Sequence, residues 1–197
     1  MIITVTGGAR SGKSTFAERW CMKHAPAAVY VATGQAFDEE MENRISLHRQ
    51  QRESSGYPWT TVEEPLHLPD LVSKLGKDQA SALPDGHPHL HPYVLVDCLT
   101  LWLSNVLLSA ESEEFSSSTE VVKQEIDRLA SAVAAFPGTI VLVTNEVGSG
   151  IVPEYPLGRL YRDLAGMLNQ TIADISDQFF LVTAGIPIEL KSREYRL

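Results

Sequence analysis

Two cysteines in 197 residues, Cys21 and Cys98, are too few for a disulfide framework, and neither sits in a metal-ligand spacing. Reduced thiols in a reducing compartment are the expectation. Long apolar runs are lacking too. Stretches such as residues 93–96 and 139–144 fall far short of the roughly 18 residues of a membrane helix, so no membrane span is expected. Met1 leads straight into Ile2-Ile3-Thr4-Val5-Thr6, without a basic n-region or small-residue cleavage site, which points to a cytoplasmic chain. Nor is there any run of Lys and Arg. With 25 acidic against 16 basic residues the net charge is -9, a field that repels a phosphate backbone, so no nucleic-acid partner is expected. What remains, 44% hydrophobic and 21% charged, is a globular balance of a length suited to one domain spanning residues 1–197.

Strand-like and helix-like segments alternate along the chain, the pattern of an α/β fold with a mostly parallel central sheet flanked by helices. Residues 2–6, 28–33, 93–98, 139–145 and 178–183 are short, β-branched-rich runs suited to buried parallel strands, and 59–62 is a weaker sixth. Val122, Ile126, Leu129, Val133 and Phe136 step by three or four, as do Leu157, Leu160 or Tyr161, Leu164, Leu168 and Ile172, each set giving one apolar helix face. Residues 76–92, rich in Pro and His, and the Ser- and Glu-rich 109–119 read as surface loops.

Gly7-Gly8-Ala9-Arg10-Ser11-Gly12-Lys13-Ser14 fits G-x-x-x-x-G-K-[ST], and it follows a strand and opens a helix, as a phosphate-binding loop must. Glycines let the backbone curl so that N–H groups face phosphate oxygens, and the helix N-terminus near Lys13 adds a favourable dipole. Lys13 then reaches the terminal phosphates, and Ser14 offers a hydroxyl to Mg²⁺. Asp97, at the end of the run Val94-Leu95-Val96, supplies the carboxylate usually found on the metal side.

Residues 37–52 form a helical pattern with Met41, Ile45 and His48 on one face and Arg44 and Arg52 one turn either side of His48. Neighbouring guanidinium groups disfavour the imidazolium, so His48 reads as a neutral nucleophile or, equally from the residues alone, as an ordinary histidine on a helix flank. His87, His89 and His91 lack carboxylate or Cys partners and read as a solvated loop. Asn145 and Glu146 follow a strand at its C-terminal end, where open parallel sheets place ligands, and are candidates for substrate contact.

The combination resembles one family along nearly the whole chain: the bifunctional adenosylcobinamide kinase and adenosylcobinamide-phosphate guanylyltransferase of cobalamin biosynthesis. The likeness lies in Thr6 together with the phosphate loop, in Tyr30-Val31-Ala32-Thr33, in Glu40-Met41 with Arg44-Ile45 and His48, and in residues 144–153 followed by Arg159, Arg162-Asp163, Gly166 and Asn169-Gln170. It implies a P-loop, RecA-like fold. It also implies that ATP or GTP phosphorylates adenosylcobinamide, and that GMP then passes from GTP to the product through a guanylyl-histidine. His48 matches that nucleophile. By the same resemblance Thr33, Gly34, Gln35, Arg49, Gln50, Gln51, Arg52, Glu63 and Asp97 complete the nucleotide site, and the chain forms a homotrimer. Three positions depart from the family: Leu47 where members can have a second histidine, Asp97 where glutamate is common, and a longer segment 76–92. Two other readings of the loop stay open here, a small-molecule kinase without a covalent intermediate and a nucleotide-dependent switch.

Overall fold

The computed structural model describes residues 1–36, 39–81, 93–110 and 115–195; of residues 40, 41, 44, 48, 51, 78–81 and 115–118 the backbone alone is described. Among the described residues seven strands form one sheet: β1 Ile2–Thr6, β2 Ala28–Ala32, β3 Trp59–Glu63, β4 Tyr93–Asp97, β5 Thr139–Val143, β6 Gln178–Thr183 and β7 Ile186–Glu189. Their order is β3-β2-β4-β5-β1-β6-β7, and every pairing is parallel except β6 with β7. β1, which feeds the phosphate loop, is separated from β4, which ends in Asp97, by the single strand β5, an order that fits the RecA-like fold implied by the resemblance.

Among the described residues six α-helices connect the strands: α1 Lys13–His24, α2 Glu39–Ser54, α3 Leu68–Ser81, α4 Leu99–Ala110, α5 Phe115–Ala134 and α6 Pro156–Ile175. Strand periodicity divides the core between the two faces. Val94, Val96, Ile140 and Leu142 point to one face, against Leu68 and Val72 of α3, Trp102 and Leu103 of α4, and the apolar stripes of α5 and α6. Leu95, Val141 and Val143 point to the other, with Ile3 and Val5, against Ala17 and Cys21 of α1. All five residues of β5 are buried, as a central parallel strand requires.

The expected strands are present, with three of them one or two residues shorter at their C-terminal ends. Two loop expectations are corrected. Residues 76–81 continue α3, because Gly76 is a packing residue and not a breaker: a Cβ there would sit 3.1 Å from Pro137 Cδ. Residues 109–110 end α4 and 115–119 begin α5, so the serines stand near a helix start, where that residue type is favoured. Residues 82–92, with His87, His89 and His91, lie outside the described residues. β7 was not expected. It is joined to β6 by a two-residue turn in which Ala184 (φ 51°) and Gly185 (φ 80°) both adopt positive φ, the type I′ geometry that matches strand twist.

Candidate active site

Because β1, β2, β4 and β5 run parallel, their C-terminal ends bring four distant segments to one edge of the sheet: the phosphate loop, residues 33–36, Asp97 and Asn145. A cavity of about 600 Å³ lies there, lined among others by Lys13, Ser14, Gly34, Gln35, Glu63, Asp97, Cys98, Leu101 and Asn145, and by Ile45, Ser46, Arg49 and Arg52 of α2.

The phosphate loop has the geometry its glycines predict. Gly12 caps α1 at φ 91°, and a Cβ on Gly7 would collide with the Val182 carbonyl oxygen and Ser11 Oγ. Arg10 adopts φ 57°, so the loop places a left-handed residue where no glycine stands. Gly8, Ala9 and Arg10 are exposed, whereas Ser11 and Lys13 are buried. Lys13 Nζ donates to the Gly8 carbonyl at 3.1 Å, which folds the ammonium back over the loop. At the loop's flanks Gly185 N donates to Ser11 O (2.8 Å) and Glu146 N to Gly7 O (3.4 Å).

Thr33 is fully buried. Its hydroxyl donates to Cys98 O (2.7 Å) and accepts from Cys98 N (2.8 Å), tying the end of β2 to the end of β4. Its side chain therefore builds the cavity wall, and Gly34 and Gln35 are the members of that trio which line the cavity. Asn105 of α4 donates to Thr33 O and Pro65 O, and Trp102 Nε1 to Leu66 O, fixing the two turns on either side.

Asp97 accepts a hydrogen bond from Tyr30 OH at 3.1 Å, and the Arg52 guanidinium stacks 3.7 Å from the centroid of the Tyr30 ring. Glu18, one helical turn after Ser14, joins this cluster. Burial, and then the Asp97 charge, push its carboxyl up to about 7, with Arg52 opposing. Burial and Asp97 likewise raise the Cys98 thiol, so that sulfur is protonated and no nucleophile. Sequence reasoning did not single out Glu18 as a site residue; its i+4 spacing from Ser14 was the available signal.

The remaining candidates divide. Arg49 Nη2 meets Glu63 Oε1 at 3.5 Å across the cavity rim, an exposed pair worth about 0–1 kcal/mol. Gln50 is exposed and does not line the cavity. Glu146 is exposed, and its Oε1 accepts Gly148 N at 3.1 Å within its own loop, whereas Asn145 lines the cavity. His48 and Gln51 lie in α2, but their side chains are outside the described residues; His48 stands one turn from both Ile45 and Arg52 along the helix. Three buried polar atoms at the site, Ser11 Oγ, Arg52 Nε and Asn145 Oδ1, have no hydrogen-bond partner among the described residues, as fits a surface built for a polar ligand.

Residues 3–190 match the family model described as cobinamide kinase / cobinamide phosphate guanyltransferase. A bifunctional adenosylcobalamin biosynthesis protein of Salmonella typhimurium is 38% identical over 197 residues, covering 97% of this chain and 100% of the relative. One of Pseudomonas aeruginosa is 40% identical over 187 residues, 95% of each. Among solved structures, a KaiC-like protein of Pyrococcus horikoshii OT3 aligns with a TM-score of 0.46 at 11% identity, covering 91% of this chain and 69% of that one. With its phosphate loop, its Asp97 strand and this full-length match together, the chain belongs to the cobinamide kinase / cobinamide phosphate guanyltransferase family.

Proposed function

We propose that both reactions of the family run in the one cavity, and that His48 carries the guanylyl group between GTP and adenosylcobinamide phosphate. The observation that carries this reading is the cavity's lining, which runs from Lys13 and Ser14 at the phosphate loop to Ile45, Ser46, Arg49 and Arg52 of the helix that bears His48. A triphosphate gripped at its outer end near Lys13 extends toward α2, which brings the α-phosphorus to the side where His48 stands.

One grip serves both steps. In the kinase step the loop stabilises the γ-phosphoryl group as it moves to the corrinoid hydroxyl. In the transferase step it stabilises departing pyrophosphate. There the His48 imidazole nitrogen forms a bond to the α-phosphorus while the bond to the bridging oxygen breaks, and the electron pair leaves with pyrophosphate. An oxygen of adenosylcobinamide phosphate then attacks the same phosphorus, and the nitrogen departs. Among the described residues no three His, Cys, Asp or Glu side chains form a metal cluster. Ser14 and Asp97, both on the cavity wall, suit an ion such as Mg²⁺ that takes few protein oxygens and shares the substrate's phosphates. Bound there, Mg²⁺ would neutralise developing phosphate charge. The reading includes a cytoplasmic homotrimer, whose mass light scattering would measure.

Incubation with GTP labelled at the α or the γ phosphate, followed by denaturation, tests the covalent step. Label from the α position should stay on the protein, γ label should not, and His48→Ala should abolish the adduct. An unlabelled wild-type protein would leave the kinase without a guanylyl-histidine.

A further inference from the structure

The strand order gives the cavity a direction. The phosphate loop rises from β1 beside β5, whereas Glu63 ends β3 and α2 follows β2, three and two strands beyond β5 respectively. Asn145, two residues beyond the end of β5, therefore stands at the terminal-phosphate end, and α2 stands toward the inner phosphates.

Asn145 is held there from several sides. Thr144 N donates to Val5 O (3.0 Å) and Glu146 N to Gly7 O (3.4 Å), which lashes the residues on either side of Asn145 to β1 and the phosphate loop. Asn169 of α6 accepts from Thr144 Oγ1 (2.6 Å) and donates to Asn145 O (3.0 Å). The Asn145 amide donates to Thr100 Oγ1 (3.0 Å), and Thr100 is buried, with its carbonyl accepting from Tyr161 OH (3.1 Å). The bond to Thr100 uses one N–H of the amide, and Oδ1, a buried acceptor, has no partner among the described residues. A carboxamide so fixed keeps an acceptor oxygen for a proton donor, beside its second N–H.

We infer that Asn145 orients the attacking hydroxyl in the kinase step, its Oδ1 accepting the hydrogen bond of the corrinoid alcohol as that oxygen approaches the γ-phosphorus. The inference rests on the two-step reading above. The alcohol oxygen forms its bond to phosphorus while the bond from phosphorus to the β–γ bridging oxygen breaks, and the electron pair stays on the nucleoside diphosphate. The alcohol proton, directed at Oδ1 through the approach, passes to solvent, since a carboxamide is no base. The guanylylation of His48 has its attacker on the α2 side and makes no use of this acceptor.

The two reactions therefore separate in one variant. In Asn145→Leu and Asn145→Ala, transfer of γ label from GTP to adenosylcobinamide should fall about 10²-fold in kcat. The KM for GTP and the rate of α-label adduct formation should stay within about threefold of wild type, the adduct also reporting that the variants are folded. A parallel loss of γ transfer and adduct, or unchanged γ transfer, overturns the role of Asn145. Wild-type protein that forms adduct but transfers no γ label, or the reverse, overturns the two-step reading itself and the inference with it.

Discussion

Gly7 shows how little freedom a phosphate loop leaves to a single residue. Its missing side chain is space already filled by the Val182 carbonyl and Ser11 Oγ, one of them backbone of the neighbouring strand and unable to swing away. Gly7→Ala must therefore shift the loop against β6. Titration calorimetry with GTP should show affinity reduced at least about tenfold, equivalent to about 1.4 kcal/mol, with the variant still folded. Wild-type affinity in that variant would mean that the loop's entry is softer than the packing implies. Cys98 is a contrasting residue. It lines the same cavity, yet burial and the adjacent Asp97 charge keep its thiol protonated, so its place is structural.

Among helices, α2 is the least embedded. Of its described side chains Arg52 alone is buried, and it is fastened by a cation–π contact to Tyr30 whose hydroxyl in turn holds Asp97. Among its described side chains, the helix that bears His48 is therefore anchored chiefly by this guanidinium at its C-terminal end, with half-buried Ile45 beside Gly34, while the Arg49–Glu63 pair at the rim contributes little. A desolvated cation–π contact contributes about 1–2 kcal/mol. Arg52→Ala should accordingly speed hydrogen exchange of the α2 amides by about tenfold while leaving β4 and β5 amides unchanged. Equal protection in variant and wild type would remove Arg52 as the anchor.

For the whole molecule the same cluster sets a pH dependence. Glu18 has an ordinary value of 4.5 and a folded value of about 7, so the folded state binds the extra proton between those limits. A carboxyl raised on folding costs nothing below about pH 4.5. Its penalty grows as pH climbs to about 7 and is constant beyond. Stability should fall by about 1–2 kcal/mol from pH 5 to pH 8, a figure discounted for the carboxyl's partial exposure. Urea unfolding at the two pH values measures it, and Glu18→Gln should flatten that part of the slope. An identical slope in the variant would place the titration elsewhere.

The alternation of elements, the parallel sheet and the phosphate loop were legible because each is written in adjacent residues: β-branched runs, 3.6-residue apolar steps, and eight consecutive positions that form one loop. Even the β6–β7 hairpin had a local mark in Ala184-Gly185, masked by Pro187 within a short exposed strand. Strand order had no such mark. It is decided by which faces bury one another, and it alone brings Glu18, Tyr30, Arg52 and Asp97 together and sets Asn145 beside the phosphate loop. Thr33 makes the same point in reverse, because only the packing of β2 on β4 turns a candidate ligand into a buried tie. Sequence by itself determined that a nucleotide's phosphates are gripped here, since that grip is made by contiguous backbone. Tertiary structure decided which distant side chains line the cavity beside that grip, since desolvation and charge act through space and not along the chain.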